Sequence, residues 1–242
     1  MHRFYAEGAI VDHVAMLSEE DVRHATRVLR LQKGDPVEIF AEGKRFAGVL
    51  ITTAQGLACR VERELPGTEA ALHVTLYQGL PKAEKMEWIV QKAVELGASR
   101  VVPVAMSRCV VQLNGKDGLR KQERWQKIAR EASKQSGRCV TMEVEAPVTM
   151  KEMLRRLPKH EAALVPWEEA NGYSLNAFHA DNPKCRDVAV VIGPEGGMSA
   201  EEVQAMAAQG CRAVTLGPRI LRTETAAIAS IAMLMCLFEQ MQ

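Results

Sequence analysis

The sequence predicts an α/β protein in two parts, a small β-rich segment followed by a larger domain built on a covered parallel sheet. Three observations predict it. Residues 1–70 hold short apolar runs separated by tight turns, which suits a small sheet or barrel. Beyond residue 70, apolar strands alternate with longer helical stretches, as in α/β domains. Runs such as Val188-Ala189-Val190-Val191-Ile192 are apolar at every position, as a strand buried on both faces must be.

Taken in order, Ser18 caps a short helix that opens on Glu19-Glu20-Asp21, acids suited to a first turn, and runs to Leu31. Gly34-Asp35-Pro36 stops it. Strands are expected over 37–40, 45–52 and 57–62, joined by Ala41-Glu42-Gly43-Lys44 and Gln55-Gly56. Leu65-Pro66-Gly67-Thr68-Glu69 reads as a linker, dividing the chain into domains 1–70 and 71–242. The second domain begins with a strand over 72–79, a helix over 83–96 and a strand over 100–105, then a long basic helix. Strands over 162–166 and 188–192, a helix over 201–209, a strand over 213–216 and a helix from about residue 224 complete it.

Composition removes several function classes. The six cysteines stand singly, with no CxxC or CxxH pair, and the histidines form no HExxH pair, so neither a disulfide framework nor a metal site is expected. No apolar stretch of signal-peptide length follows Met1, and the longest apolar run, 226–238, is too short to cross a bilayer. A cytoplasmic protein without a membrane anchor is expected.

The net charge of +1 hides a division. Residues 71–160 carry 17 basic and 9 acidic side chains, a net of +8, whereas the segments on either side are acidic. Within that third, Lys116, Arg120, Arg124, Lys127, Arg130, Lys134 and Arg138 recur every three or four residues, close to one helix face. Trp125, Ile128, Ala129 and Ala132 supply an apolar stripe. Such a ridge is either a solvated helix face or a phosphate-tracking surface that gains by releasing counterions from a polyanion.

Two strands end in similar punctuation. One runs into Gly193-Pro194-Glu195-Gly196-Gly197-Met198-Ser199, the other into Gly217-Pro218-Arg219-Ile220-Leu221-Arg222-Thr223-Glu224-Thr225. Ligands of open α/β sheets bind at the carboxyl ends of strands. Glycine there allows positive φ and close main-chain approach, and Ser199 and Thr223 are credible caps for the helices that follow. Neither loop matches GxGxxG and no GxxxxGK[ST] occurs, so dinucleotide and P-loop readings lose their support.

These paired loops resemble the C-terminal signature of the SPOUT methyltransferases and, more narrowly, of the RsmE family, which methylates N3 of a uridine in 16S ribosomal RNA near the decoding site. The likeness extends to Arg3-Phe4, His24, Val28-Leu29-Arg30, Gly34-Asp35, Lys82, Lys85, Lys92-Ala93-Val94-Glu95-Leu96-Gly97 and Gln135-Ser136-Gly137-Arg138. The resemblance implies a PUA-like RNA-binding barrel over 1–70 and a SPOUT domain with a deep trefoil knot over 71–242. It also implies a homodimer, to which the apolar helix 226–238 contributes, acting on 16S rRNA, with the assembled small ribosomal subunit the expected partner.

By position, the resemblance implies S-adenosyl-L-methionine contacts at Leu164, Gly193, Glu195, Gly196, Leu216, Gly217, Ile220, Leu221 and Thr223. Arg222 and Arg138 are candidates for stabilising a uridine anion, because nearby cations favour a deprotonated form, and Glu195 is a candidate proton acceptor. Arg3, His24, Arg30, Lys82, Lys85, Arg124, Lys134 and Arg138 are the expected RNA-binding cations. Two alternatives stay open: another SPOUT RNA methyltransferase acting on the ribose 2′-oxygen, and a non-catalytic RNA-binding ribosome-assembly factor.

Overall fold

The computed structural model describes residues 1–54, 56–110, 115–170 and 172–239. Gln55, half of the expected Gln55-Gly56 turn, lies outside the described residues. Two compact units emerge, Met1–Glu69 with Ser133–Thr141, and Ala70–Ala132 with Met142–Gln242.

The first unit is a five-stranded sheet. Its strands are β1 (His2–Tyr5), β2 (Val14–Met16), β3 (Pro36–Ala41), β4 (Lys44–Thr53) and β5 (Gly56–Leu65), in the order β1-β3-β4-β5-β2. Only β1 and β3 run parallel; the other pairs are antiparallel. An isolated bridge between Ala6 and Leu17 joins the segments that follow the two edge strands. Phe4, Ile39 and Leu50 fill the core. Ser18 caps α1 (Glu19–Arg23) by accepting the Asp21 N–H at 3.1 Å, as expected. The helix does not continue regularly to Leu31; it widens into a π turn over His24–Val28 and ends before Arg30, whose φ is 54°. Residues 133–141 complete this unit: the Tyr5 hydroxyl donates to the Arg138 carbonyl at 2.7 Å, and Arg3 donates to the Gln135 carbonyl at 2.9 Å.

The second unit is a seven-stranded parallel sheet. Its strands are β6 (His73–Gly79), β7 (Arg100–Ala105), β8 (Glu143–Val144), β9 (Val148–Thr149), β10 (Ala162–Pro166), β11 (Asp187–Ile192) and β12 (Cys211–Val214). The order is β12-β10-β11-β6-β7-β8, with β9 also on β7. Alternate residues serve opposite faces. Leu76 and Val190 pack under α2 (Lys85–Glu95) and α7 (Thr223–Leu237), whereas Tyr77 and Val191 pack with Met153 of α4 (Met150–Arg156) and Val203 of α6 (Ala200–Ala207). Both faces are therefore dry, which is why these strands read as unbroken apolar runs.

Several expectations shift. β12 ends at Val214, and Thr215 pairs instead with Ser174, its N–H donating to the Tyr173 carbonyl at 2.9 Å. α4, α5 (Leu175–Asp181), β1, β2, β8 and β9 escaped sequence reading, being too short to show a period. The basic helix, α3 (Gly115–Ser136), stops before Arg138, which follows Gly137 at φ 80°. Arg138 therefore does not extend the ridge. Among the described residues no helix is long and apolar enough to cross a membrane.

Candidate active site

A cleft of about 500 Å³ opens at the carboxyl ends of the second unit's strands, where open α/β sheets hold ligands. Residues of the loops after β11 and β12 line it together with Lys85, Pro166 and Glu168. Of the expected cofactor contacts, Gly193, Glu195, Gly196, Ile220, Leu221 and Thr223 line this cleft, as does Arg222. Leu216 and Gly217 line a smaller recess that shares Pro166, Glu168, Ile220, Leu221 and Ala226 with it. Leu164 lines neither; it is buried on β10 as part of the core beneath.

The loop after β11 is fixed at every corner. Gly197, at φ 69°, closes a turn by donating its N–H to the Pro194 carbonyl at 2.9 Å, a conformation that side chains resist. Arg108 donates to the Gly196 carbonyl at 3.2 Å, and a side chain at Gly196 would press on Arg108 at 3.1 Å. At the far end Ser199 and Glu202 form a reciprocal capping box for α6, so Ser199 caps as expected. Thr223 does not cap α7. Its hydroxyl donates instead to the Gly193 carbonyl at 2.6 Å and accepts from Gln78 Nε2 at 2.9 Å.

Glu195 accepts the Lys82 main-chain N–H at 3.0 Å and pairs with Lys85 at 3.1 Å; Lys85 also reaches Glu224 at 3.3 Å. Burial pushes the Glu195 carboxyl up. Its own N–H, that of Lys82 and the Lys85 ammonium outweigh this and hold it below the usual range. The hydrogen bond to Glu195 raises Lys85 in turn, against a small loss from desolvation. Glu195 is therefore held ionised by these partners, which makes it a weaker base than a free carboxylate.

The remaining candidates divide sharply. Arg138 is buried and bound to Glu69, at 2.6 Å from Nη2, so its charge is already matched within the first unit. Lys134 is likewise matched by buried Asp21 at 2.8 Å, Arg3 by Glu38 at 3.1 Å, and Arg124 by Glu87 at 2.8 Å. His24, Arg30 and Lys82 are exposed. Arg222 is exposed too and makes no ion pair among the described residues. Sequence reasoning missed Gln78, Arg108 and Glu168. Only Gln78 left a trace, as an uncharged polar residue closing an otherwise apolar strand end before Gly79.

Comparison with known proteins decides the family. The RNA methyltransferase domain matches residues 68–235, and the RNA methyltransferase PUA domain matches residues 17–61. Ribosomal RNA small subunit methyltransferase E of Bacillus subtilis is 34% identical over 228 residues, covering 89% of this chain and 87% of its own. The chain belongs to the RsmE family of RNA methyltransferases. The RsmE relative of Aquifex aeolicus is 33% identical, with 97% and 99% of the two chains covered. The crystal structure of the Neisseria gonorrhoeae RsmE bound to S-adenosyl methionine superposes with a TM-score of 0.84 at 33% identity, covering 98% of each chain. A Legionella pneumophila methyltransferase structure with bound SAM gives 0.83 at 31% identity, covering 97% of this chain and 96% of its own.

Proposed function

We propose that this RsmE-family chain is a cytoplasmic enzyme that transfers the methyl group of S-adenosyl-L-methionine to N3 of a uridine in 16S ribosomal RNA, near the decoding site. The single observation that carries this reading is the pairing of two glycine-bearing loops across one cleft at the carboxyl ends of β11 and β12. The cleft suits the donor. Ile220, Leu221, Met198 and Ala226 offer apolar surface, and Glu168 favours a ligand with a cationic centre. Gly193 and Gly196 let the first loop pack tightly, since a Cβ there would meet Met198 at 2.8 Å or Arg108 at 3.1 Å. When bound, the donor would supply an electrophilic methyl group on a sulfonium sulfur, which keeps the electron pair of the bond that breaks.

The protein's own part is to hold the uracil in line and to favour loss of its N3 proton. Arg222 is the cation we assign to the uracil anion, since it borders the cleft and has no carboxylate partner among the described residues. Glu195 positions Lys85 and the loop. Arg138, engaged by Glu69, braces the first unit. The Watson–Crick edge must be free, so an unpaired or extruded base is required.

Residues 1–70 serve as the PUA-like RNA-binding domain, and the bridge at Ala6 and Leu17 supports a closed barrel. Residues 71–242, apart from 133–141 which belong to the first unit, form the methyltransferase domain. A trefoil knot is supported by the segment after β12 lying along the segment after β10, where Ser174 pairs with Thr215. A homodimer is supported by the outward side of α7, where Met233 and Cys236 are exposed. On α3, Arg120, Lys127 and Arg130 are exposed and carry the phosphate contact better than Arg124 or Lys134, which have carboxylate partners. The test is incubation with the donor and small ribosomal subunits lacking the modification, followed by nucleoside digestion. 3-Methyluridine is expected; 2′-O-methyluridine, or no methyl transfer, would overturn the reading.

A further inference from the structure

We infer that Gln78 is a positioning residue that clips the two loops into one binding geometry, an inference that rests on the donor reading above. Gln78 is the penultimate residue of β6, and it is fully buried. Its Nε2 donates to Thr223 Oγ1 at 2.9 Å and to its neighbour's carbonyl, Gly79 O, at 3.0 Å, with Gly193 O at 3.5 Å. The amide orientation follows from chemistry, because carbonyls only accept and the nitrogen end alone can donate to them. The Thr223 hydroxyl then has one role left, and it donates to Gly193 O at 2.6 Å. Three chain segments meet at this point: the end of β6, the start of the first loop and the first residue of α7.

Stability alone does not account for the arrangement. Gln78 Oε1 is buried with no hydrogen-bond partner among the described residues. An orphaned acceptor of this kind is destabilising, and an apolar side chain of similar volume would avoid that cost. A second tie joins the same two segments from outside, Lys85 between Glu195 and Glu224, but its side chain is 32% exposed and water screens it. The buried clip is therefore the stiffer of the two, and it fixes how far apart the walls of the cleft stand.

The test is a double-mutant cycle of Gln78→Leu and Thr223→Val, read by calorimetric affinity for S-adenosylmethionine, by thermal unfolding of the ligand-free protein and by amide exchange at 193–197 in its absence. Each single variant is expected to bind the donor about tenfold more weakly, a change of ~1.4 kcal/mol. The double variant is expected to be little worse than either single one, because the pair acts as a unit. Exchange at 193–197 is expected to quicken without donor present. If Gln78→Leu does not fold, Gln78→Met, which keeps the unbranched length, replaces it. Donor affinity unchanged in the variants, or losses that simply add, would overturn the inference while leaving the donor site in place. A lowered melting temperature with unchanged affinity would reduce Gln78 to a structural residue and overturn it equally. Wild-type protein that fails to bind the donor would sink the cofactor reading, and the inference with it.

Discussion

The two loops share a Gly-Pro opening yet are built in opposite ways. The loop at 193–198 is cross-tied: Gly193 to Thr223, Glu195 to Lys82 and Lys85, Gly196 to Arg108, and Gly197 back to Pro194. The loop at 217–222 is open, with Ile220 86% exposed and nothing within 4 Å of where a side chain at Gly217 would sit. One wall of the cleft is therefore tied at several points, and the tip of the other stands exposed. A rigid wall lowers the ordering cost of binding, and a pliable one admits the ligand.

The contrast breaks most severely at Gly79. A Cβ there would lie 2.6 Å from Pro194 N and 3.0 Å from Gly193 C, main-chain atoms with nowhere to retreat. Gly79→Ala is expected to cost about 3 kcal/mol of stability through overpacking and to abolish measurable donor binding. Gly217→Ala faces no clash, only a φ of 103°, and is expected to lose about 1 kcal/mol. Thermal denaturation with calorimetry on both variants checks the ranking; equal losses would erase the distinction between the loops.

Ile220→Ala sharpens it next. The side chain is almost wholly in water in the free protein, so stability should stay within about 0.5 kcal/mol of wild type. Donor affinity should fall about fivefold, as apolar area that the ligand would cover is lost. Unchanged affinity would remove Ile220 from the second wall.

Lys85→Met has the smallest expected effect. Glu195 is depressed, so its contribution is in place above the ordinary carboxylate value of 4.5 and is lost as pH falls through the lower folded value. Lys85 is raised, so its share is complete below 10.5 and is lost as pH rises through the higher folded value. The stability gap between variant and wild type should therefore be widest between those limits and close on both sides. At neutral pH it should stay below about 1 kcal/mol, because the partners are part-exposed. A gap independent of pH would mean that the lysine acts through packing.

Much of the second unit was legible because a strand covered on both faces has to be apolar throughout, as Val188 to Ile192 shows. The two loops were legible because glycine and proline mark the places where the main chain leaves a sheet. Charge was less informative. Arg138 and Lys134 looked like part of a basic ridge, yet their partners, Glu69 and Asp21, lie far away in sequence and only folding brings them close. Gln78 was hidden for the same reason, since its contacts at Gly193 and Thr223 are 115 and 145 residues distant. Periodicity reports which face a residue occupies and is silent about what waits there.

The central claim, that a fixed loop and an open loop together grip one methyl donor, is tested most directly by hydrogen exchange with and without saturating S-adenosylmethionine. Amides at 193–198 are expected to be slow from the start, and those at 217–222 to slow markedly once the donor is present. Exchange at 217–222 that does not respond to a saturating donor would contradict the account.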